Sequence, residues 1–272
     1  MAGIPEFVLR THGLHAWAGG KPLLQDVVIT LSAGEIGCLV GANGCGKTTL
    51  SRVLAGVSRA SVQGQIEIQR DSGLGALPTP GVAFAVPAEW LPSEITGRAV
   101  MLIARTALGV GDEDEAFTYA KLVGLDHYLD DVIASYSLGT RQKLSIALAL
   151  LAPARLVILD EALSGLDAAS SEATLDHLRS RVIRRRGAVI LVSHHIELVE
   201  RIADVVWFMA GGRIEETWRR PSGGADTRQT PDFESLVRRY LRSDLARGAR
   251  PAVIPPSHGA PPKAIASNGG IE

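Results

Sequence analysis

The feature that most constrains this chain is the stretch from Leu39 to Leu50, LVGANGCGKTTL. An apolar run, Ile36, Cys38, Leu39 and Val40, enters a glycine-rich loop that ends in Gly46-Lys47-Thr48-Thr49. The spacing Gly41-x-x-x-x-Gly46-Lys47-Thr48 is that of a phosphate-binding loop. Gly41, Ala42, Asn43, Gly44, Cys45 and Gly46 would turn backbone N–H groups toward phosphate oxygens. Lys47 has the reach for the terminal phosphates, and Thr48 offers a hydroxyl to Mg²⁺. The segment from Thr49 to Ala55 reads as a helix whose N-terminus points its positive dipole end at the same phosphates. Cys45 is expected beside that N-terminus with a thiol of lowered pKa.

A chain of 272 residues, 46% hydrophobic and 21% charged, is long enough for one substantial core or two closely packed subdomains. A formal net charge of −1 provides no general attraction to polyanions, so no nucleic-acid partner is expected. The two cysteines, Cys38 and Cys45, both belong to the loop and its strand, which suits a reducing compartment better than a structural disulfide. No apolar run approaches the roughly 20 residues of a membrane helix. Leu144 to Leu159 comes nearest and is broken by Ser145, Pro153 and Arg155. The N-terminus lacks a charged start followed by an apolar signal core, so a soluble, cytoplasmic chain is expected.

In chain order, Phe7 to Leu14 and Leu23 to Leu31 read as two antiparallel strands around a Gly19–Pro22 loop, the second alternating with period two. Trp17 falls in that loop. Two readings of it stay open: a ring that stacks on a nucleobase, or packing under the sheet edge. Gly64 to Ile68 is another short strand, Gly73 to Pro80 a loop, and Val82 to Val86 a buried strand. From Pro92 to Tyr136 the periodicity turns helical. Ala99, Leu102, Ile103 and Thr106 mark one apolar stripe, and Ala116, Tyr119, Ala120, Leu122 and Val123 another. Asp112-Glu113-Asp114-Glu115 reads as a solvated helix start.

Leu156-Val157-Ile158-Leu159 then runs into Asp160-Glu161, as a fully buried parallel strand does when it ends at a site. Following a phosphate loop, Asp160 is placed to hold Mg²⁺ and Glu161 to face an attacking water. Ala188 to Ser193 is a further buried strand that delivers His194 to the same sheet edge. That histidine is read either as structural or as a group that contacts a terminal phosphate or orients water.

From Phe7 to Ile214 these landmarks, in this order, resemble the ATP-binding subunit of the ATP-binding cassette (ABC) family. By that resemblance Trp17 corresponds to the adenine-stacking aromatic and Gly41 to Thr49 to Walker A. Asp160 corresponds to the Walker B aspartate, Glu161 to the catalytic carboxylate, Asp167 to the D-loop and His194 to the switch histidine. Tyr136-Ser137-Leu138-Gly139-Thr140 stands in the place of the LSGGQ signature that meets a partner's ATP. Leu138 replaces its first glycine and Thr140 its glutamine. The Q-loop glutamine is replaced by Ala88, with Glu89 beside it as either a substitute metal ligand or a coupling residue.

The resemblance implies a mixed α/β P-loop core with an N-terminal antiparallel β subdomain and an inserted helical subdomain from about 87 to 137, all within residues 5–218. It implies ATP and Mg²⁺ as cofactors, with catalytic roles for Lys47, Glu161 and His194. It further implies a second ATP-binding subunit, identical or similar, and a multi-span membrane permease. The chain would then sit on the inner face of the cell membrane. The alternative is a soluble ABC ATPase of repair, translation or cofactor assembly. Neither the coiled-coil insertion of the first nor the tandem cassettes of the second is present, which favours the transporter subunit. Residues 219–250 read as a linker and a basic amphipathic helix begun by Thr230-Pro231, with an apolar stripe from Phe233 to Leu245. That helix is expected either on its own domain or on a membrane or acidic partner surface. Residues 251–272 read as a disordered tail.

Overall fold

A computed structural model of the protein describes residues 6–69, 81–110, 115–221 and 233–238. The expected loop at 73–80, the acids at 112–114, the cap at 230–232, the stripe beyond residue 238 and the tail from 251 lie outside them.

The chain opens with β1 (Phe7–Ala18), β2 (Lys21–Val27) and β3 (Thr30–Ser32), and β5 (Ser61–Ile68) completes this antiparallel sheet. β1 pairs along one edge with β3 and then β2, and along the other with β5. Two expectations change here. Trp17 lies in β1 rather than in a loop, opposite Pro22 and Ser61. The single strand expected from Leu23 to Leu31 is two, since β2 ends at Val27 and the Thr11 hydroxyl bonds the backbone at the break, donating to the Val27 carbonyl and accepting from the Ile29 N–H, each at 3.0 Å.

The second sheet runs in the order β10-β9-β4-β8-β7-β6. β4 (Ile36–Gly41), β6 (Val82–Ala85), β7 (Leu156–Asp160), β8 (Ala188–Val192) and β9 (Val205–Ala210) are parallel, and β10 (Arg213–Arg219) closes the edge antiparallel to β9. Strands buried on both faces must be apolar at every position, and they divide their side chains between two cores. Ile36, Cys38, Val157, Leu159, Val189, Leu191, Val206 and Phe208 face the helices. Leu39, Ile158, Ile190, Trp207 and Met209 face the antiparallel sheet and α1 (Lys47–Leu54).

The helical side comprises α2 (Gly97–Leu108), α3 (Glu115–Leu122), α4 (Leu138–Leu151), α5 (Ala168–Arg185) and α6 (Ile196–Ile202). Thr96, Ser137 and Asp167 cap α2, α4 and α5 with side-chain oxygens. The buried face of α2 is not the expected stripe. Met101 is fully buried and Val100, Ala104 and Leu108 pack beside it, whereas Leu102 and Ile103 are exposed. On α3 the stripe holds at Ala116, Tyr119, Ala120 and Val123, and Leu122 turns outward. Residues 233–238 are helical and lie on the domain itself, with the Phe233 ring 5.0 Å from Trp218 and 6.4 Å from Phe208.

Glu115 also departs from expectation. Its side chain is 7% exposed and is enclosed by α5, contacting His177 at 3.1 Å, Arg185 at 3.2 Å and Arg184 at 3.4 Å as well as Arg181. Burial alone would raise its pKa, yet the hydrogen bond with His177 and the charges of Arg181 and Arg185 hold it below the ordinary value. Burial also lowers Arg181, to about 10. This cluster ties α3 to α5. Removing the Glu115 carboxylate would strand a buried guanidinium, so Glu115→Ala is expected to cost about 3–5 kcal/mol in denaturant unfolding. Because the folded-state pKa is depressed, the stability Glu115 supplies is present at neutral pH. It is lost as pH falls from the ordinary carboxylate value through the folded one. The acid limb of the wild-type unfolding profile should therefore flatten in Glu115→Gln.

Candidate nucleotide site

Three turns meet at the carboxyl end of the parallel sheet, where open α/β folds bind ligands. The first follows β4. Gly46 stands before α1 with φ 113°, a conformation that a side chain would strain. Lys47, the first helical residue, is 6% exposed and donates from Nζ to the carbonyls of Gly41 at 2.6 Å and Ala42 at 3.0 Å. Asn43 and Gly44 form the exposed rim, and Thr49 lies half-buried in the first turn of α1. The expected loop thiol is corrected: Cys45 is buried at 8% exposure, in the core below the loop with Leu50 and Met209.

The second turn follows β7. Thr48 Oγ1 donates to Asp160 Oδ1 at 3.3 Å, so the two predicted metal-side groups meet across 112 residues of sequence. Burial raises the pKa of Asp160, offset in part by Thr48, Arg52 and Lys47. Glu161 follows with a left-handed φ of 55°, which a non-glycine residue adopts only where its surroundings over-determine it. That backbone brings Glu161 Oε1 to 2.8 Å from Nε2 of His194, a close approach without the alignment of a hydrogen bond. Burial raises the Glu161 pKa, which His194 and Lys47 lower and Asp160 raises further. His194 arrives from the third turn, after β8.

Thr48, Asp160 and Glu161 border a cleft of about 240 Å³ that Arg52, Ala88, Glu89, Leu138, Gln142 and Ser145 also line; Lys47 and His194 are not among its lining residues. Arg52 and Gln142 were not singled out by sequence, although Arg52 lies four residues after Thr48 and so shares its helix face. The signature residues gather at the start of α4. Ser137 Oγ accepts from the Thr140 N–H at 3.1 Å, and Leu138 is 61% exposed. A Cβ on Gly139 would lie 2.6 Å from the Gly165 carbonyl, so this glycine permits the start of α4 to rest on the turn that precedes α5. Asp167 is engaged as a helix cap, accepting from Ser170 N and Oγ at 2.8 Å, and those bonds hold its pKa at about 2. Trp17 is half-buried, with its ring 5.7 Å from that of His15 and 6° from parallel. It is not among the residues of the cleft.

The family model for ABC transporters matches residues 24–164. The chain belongs to the ABC transporter family, as an ATP-binding subunit. It is 32% identical over 216 residues to an uncharacterized ABC transporter ATP-binding protein, YdbJ, of Bacillus subtilis, covering 77% of this chain and 68% of that protein. It is 32% identical over 262 residues to an aliphatic sulfonates import ATP-binding protein of Burkholderia lata, covering 96% and 78%. The solved structure of an ATP binding subunit of an ABC transporter superposes with a TM-score of 0.69 at 25% identity, covering 78% of this chain and 90% of that one. A nucleotide-free ATP-binding cassette, at 19% identity, shares the fold with a TM-score of 0.65 over 88% and 95%.

The arrangement suits a polyphosphate with a divalent ion. Lys47 spans the loop that would hold phosphate, and Thr48 and Asp160 present a hydroxyl and a carboxylate to one point. Replacing Lys47 removes a charged donor from a buried loop. Lys47→Ala should weaken binding of a fluorescent ATP analogue by roughly 10- to 100-fold. Equilibrium titration measures this, with unchanged circular dichroism as the check on folding.

Proposed function

We propose that this cassette binds and hydrolyses Mg·ATP to energise movement of a substrate through a separate membrane-spanning partner. The observation that carries this reading is the pairing of Glu161 with His194 beside Thr48, Asp160 and Lys47. A carboxylate of raised pKa next to a histidine is a proton acceptor poised for water. Lys47 and the loop amides would hold the β- and γ-phosphates, and Thr48 and Asp160 would hold Mg²⁺. When bound, the ion neutralises charge that develops on the transferred phosphoryl group. Glu161 Oε1 would accept the proton of a water that His194 helps to orient. Trp17 is proposed as the adenine platform.

Among the described residues no helix is long and apolar enough to cross a membrane, which fits a chain that works through a partner. The transport-related names of the relatives support this reading over a repair, translation or assembly ATPase. Ser137, Leu138, Gly139 and Thr140 lie at one exposed helix start, where a second cassette could present its ATP. Two such chains, or this one and a similar subunit, would sandwich two nucleotides at the inner face of the membrane. Leu138 puts a side chain where the family signature has none, so the sandwich should close less tightly than one built on the unaltered signature.

Glu161→Gln keeps the shape of the side chain and removes its basicity. ATP turnover should fall by roughly 10²- to 10⁴-fold. ATP-bound dimers should accumulate on size-exclusion chromatography. The raised pKa of Glu161 places the acid limb of the wild-type rate profile above the ordinary carboxylate range, and activity is lost as pH falls through it. Undiminished hydrolysis in Glu161→Gln would remove this residue from its role.

A further inference from the structure

Arg52 bridges the cleft and the outer surface. It lies on α1 on the face that carries Thr48, and it lines the cleft together with Asp160, Glu161, Ala88 and Glu89. Its guanidinium carbon is 5.2 Å from the centre of the Trp90 ring. Trp90 ends the short 3₁₀ turn Ala88–Trp90 after β6 and is 49% exposed. Among the described residues the buried Arg52 Nε has no hydrogen-bond partner, and the same is true of Gln142 Oε1, whose side chain also borders the cleft. A buried donor without a partner is costly unless something in the cleft takes it up.

The two ends of Arg52 compete. A cation over a half-exposed aromatic ring is weakly held, whereas a charge-assisted hydrogen bond to a phosphate oxygen is among the strongest that a guanidinium makes. Asp160 attracts the guanidinium, and a bound ion beside that carboxylate would take over part of the attraction. The only other described feature that holds the Arg52 head is the face of Trp90. This residue sits where the family's Q-loop segment runs but where Ala88 offers no polar group.

We propose that Arg52 is a positioning residue that senses nucleotide. Its guanidinium leaves the Trp90 face for an oxygen of bound polyphosphate, so that occupancy of the cleft alters the environment of Trp90 at the surface. This rests on the reading of the cleft as an ATP site. It assigns to the Arg52–Trp90 pair the link between the cleft and the outer face at the altered Q-loop.

The test is fluorine NMR of the full chain labelled with fluorotryptophan, titrated with Mg²⁺ and a non-hydrolysable ATP analogue. The Trp90 resonance is identified by its loss in Trp90→Phe. In the wild type it should shift saturably, with the dissociation constant that a fluorescent analogue reports. Arg52→Ala should bind roughly tenfold more weakly, as befits loss of one charge-assisted bond. At saturation its Trp90 resonance should stay still while that of buried Trp207 is unchanged. Arg52→Lys should recover binding more than it recovers the Trp90 shift, because an ammonium lacks the flat face that stacks on indole. Wild-type binding with an immobile Trp90 resonance would overturn the proposal alone, as would an equal shift in Arg52→Ala. Failure of the wild type to bind any nucleotide would overturn the ATP-site reading and this proposal with it.

Discussion

Everything at the site depends on a sheet whose strands are buried on both faces. β4, β7, β8 and β9 have no solvent-facing side, so their side chains are apolar throughout and alternate between two cores. Polar residues are excluded until each strand ends. That is why Asp160 is the last residue of β7, why Lys47, Glu161 and His194 follow strand ends, and why they converge at one edge. The parallel register of β7 and β8 sets Asp160 opposite Val192, two residues before His194.

Desolvation acts on two groups of carboxylates with opposite outcomes. At Asp160 and Glu161 burial raises the pKa, and nearby Lys47, Arg52 and His194 only partly offset it. At Glu115 burial acts the same way, but the hydrogen bond with His177 and the charges of Arg181 and Arg185 bring the pKa below the ordinary value. The difference separates a site from a tie. Groups kept incompletely compensated are available to a ligand or a proton, whereas a surrounded charge can only hold structure. The left-handed backbone at Glu161 belongs with the first group, since it is held in place by the sheet and the Val192 carbonyl rather than by its own preference.

The central strands, the phosphate loop and the acidic strand end were legible in the sequence because each has a local cause. Continuous apolar residues make a two-faced strand, and glycine spacing makes the loop. The errors fall where a neighbour, not the segment, decides. Periodicity chose Leu102 and Ile103 for the buried face of α2. Each residue advances the helix by about 100°, and packing rotated Met101 inward instead. Glu115 looked like a solvated acid because the arginines and histidine that enclose it come from a helix about sixty residues later. Trp17 looked like a loop residue because Gly19-Gly20 marks the turn, yet β5 arrives later in the chain and extends the strand up to it.

The sequence by itself determined the chemistry on offer: a loop that favours phosphate, a hydroxyl and two carboxylates for a metal and a water, and a histidine at a further strand end. These follow from residue type and short-range spacing, which the chain carries locally. Only the tertiary structure decided which of them meet. Thr48 reaches Asp160 across 112 positions and Arg52 meets Trp90 on the turn after β6, because long-range sheet register and helix docking, rather than local preference, set those distances.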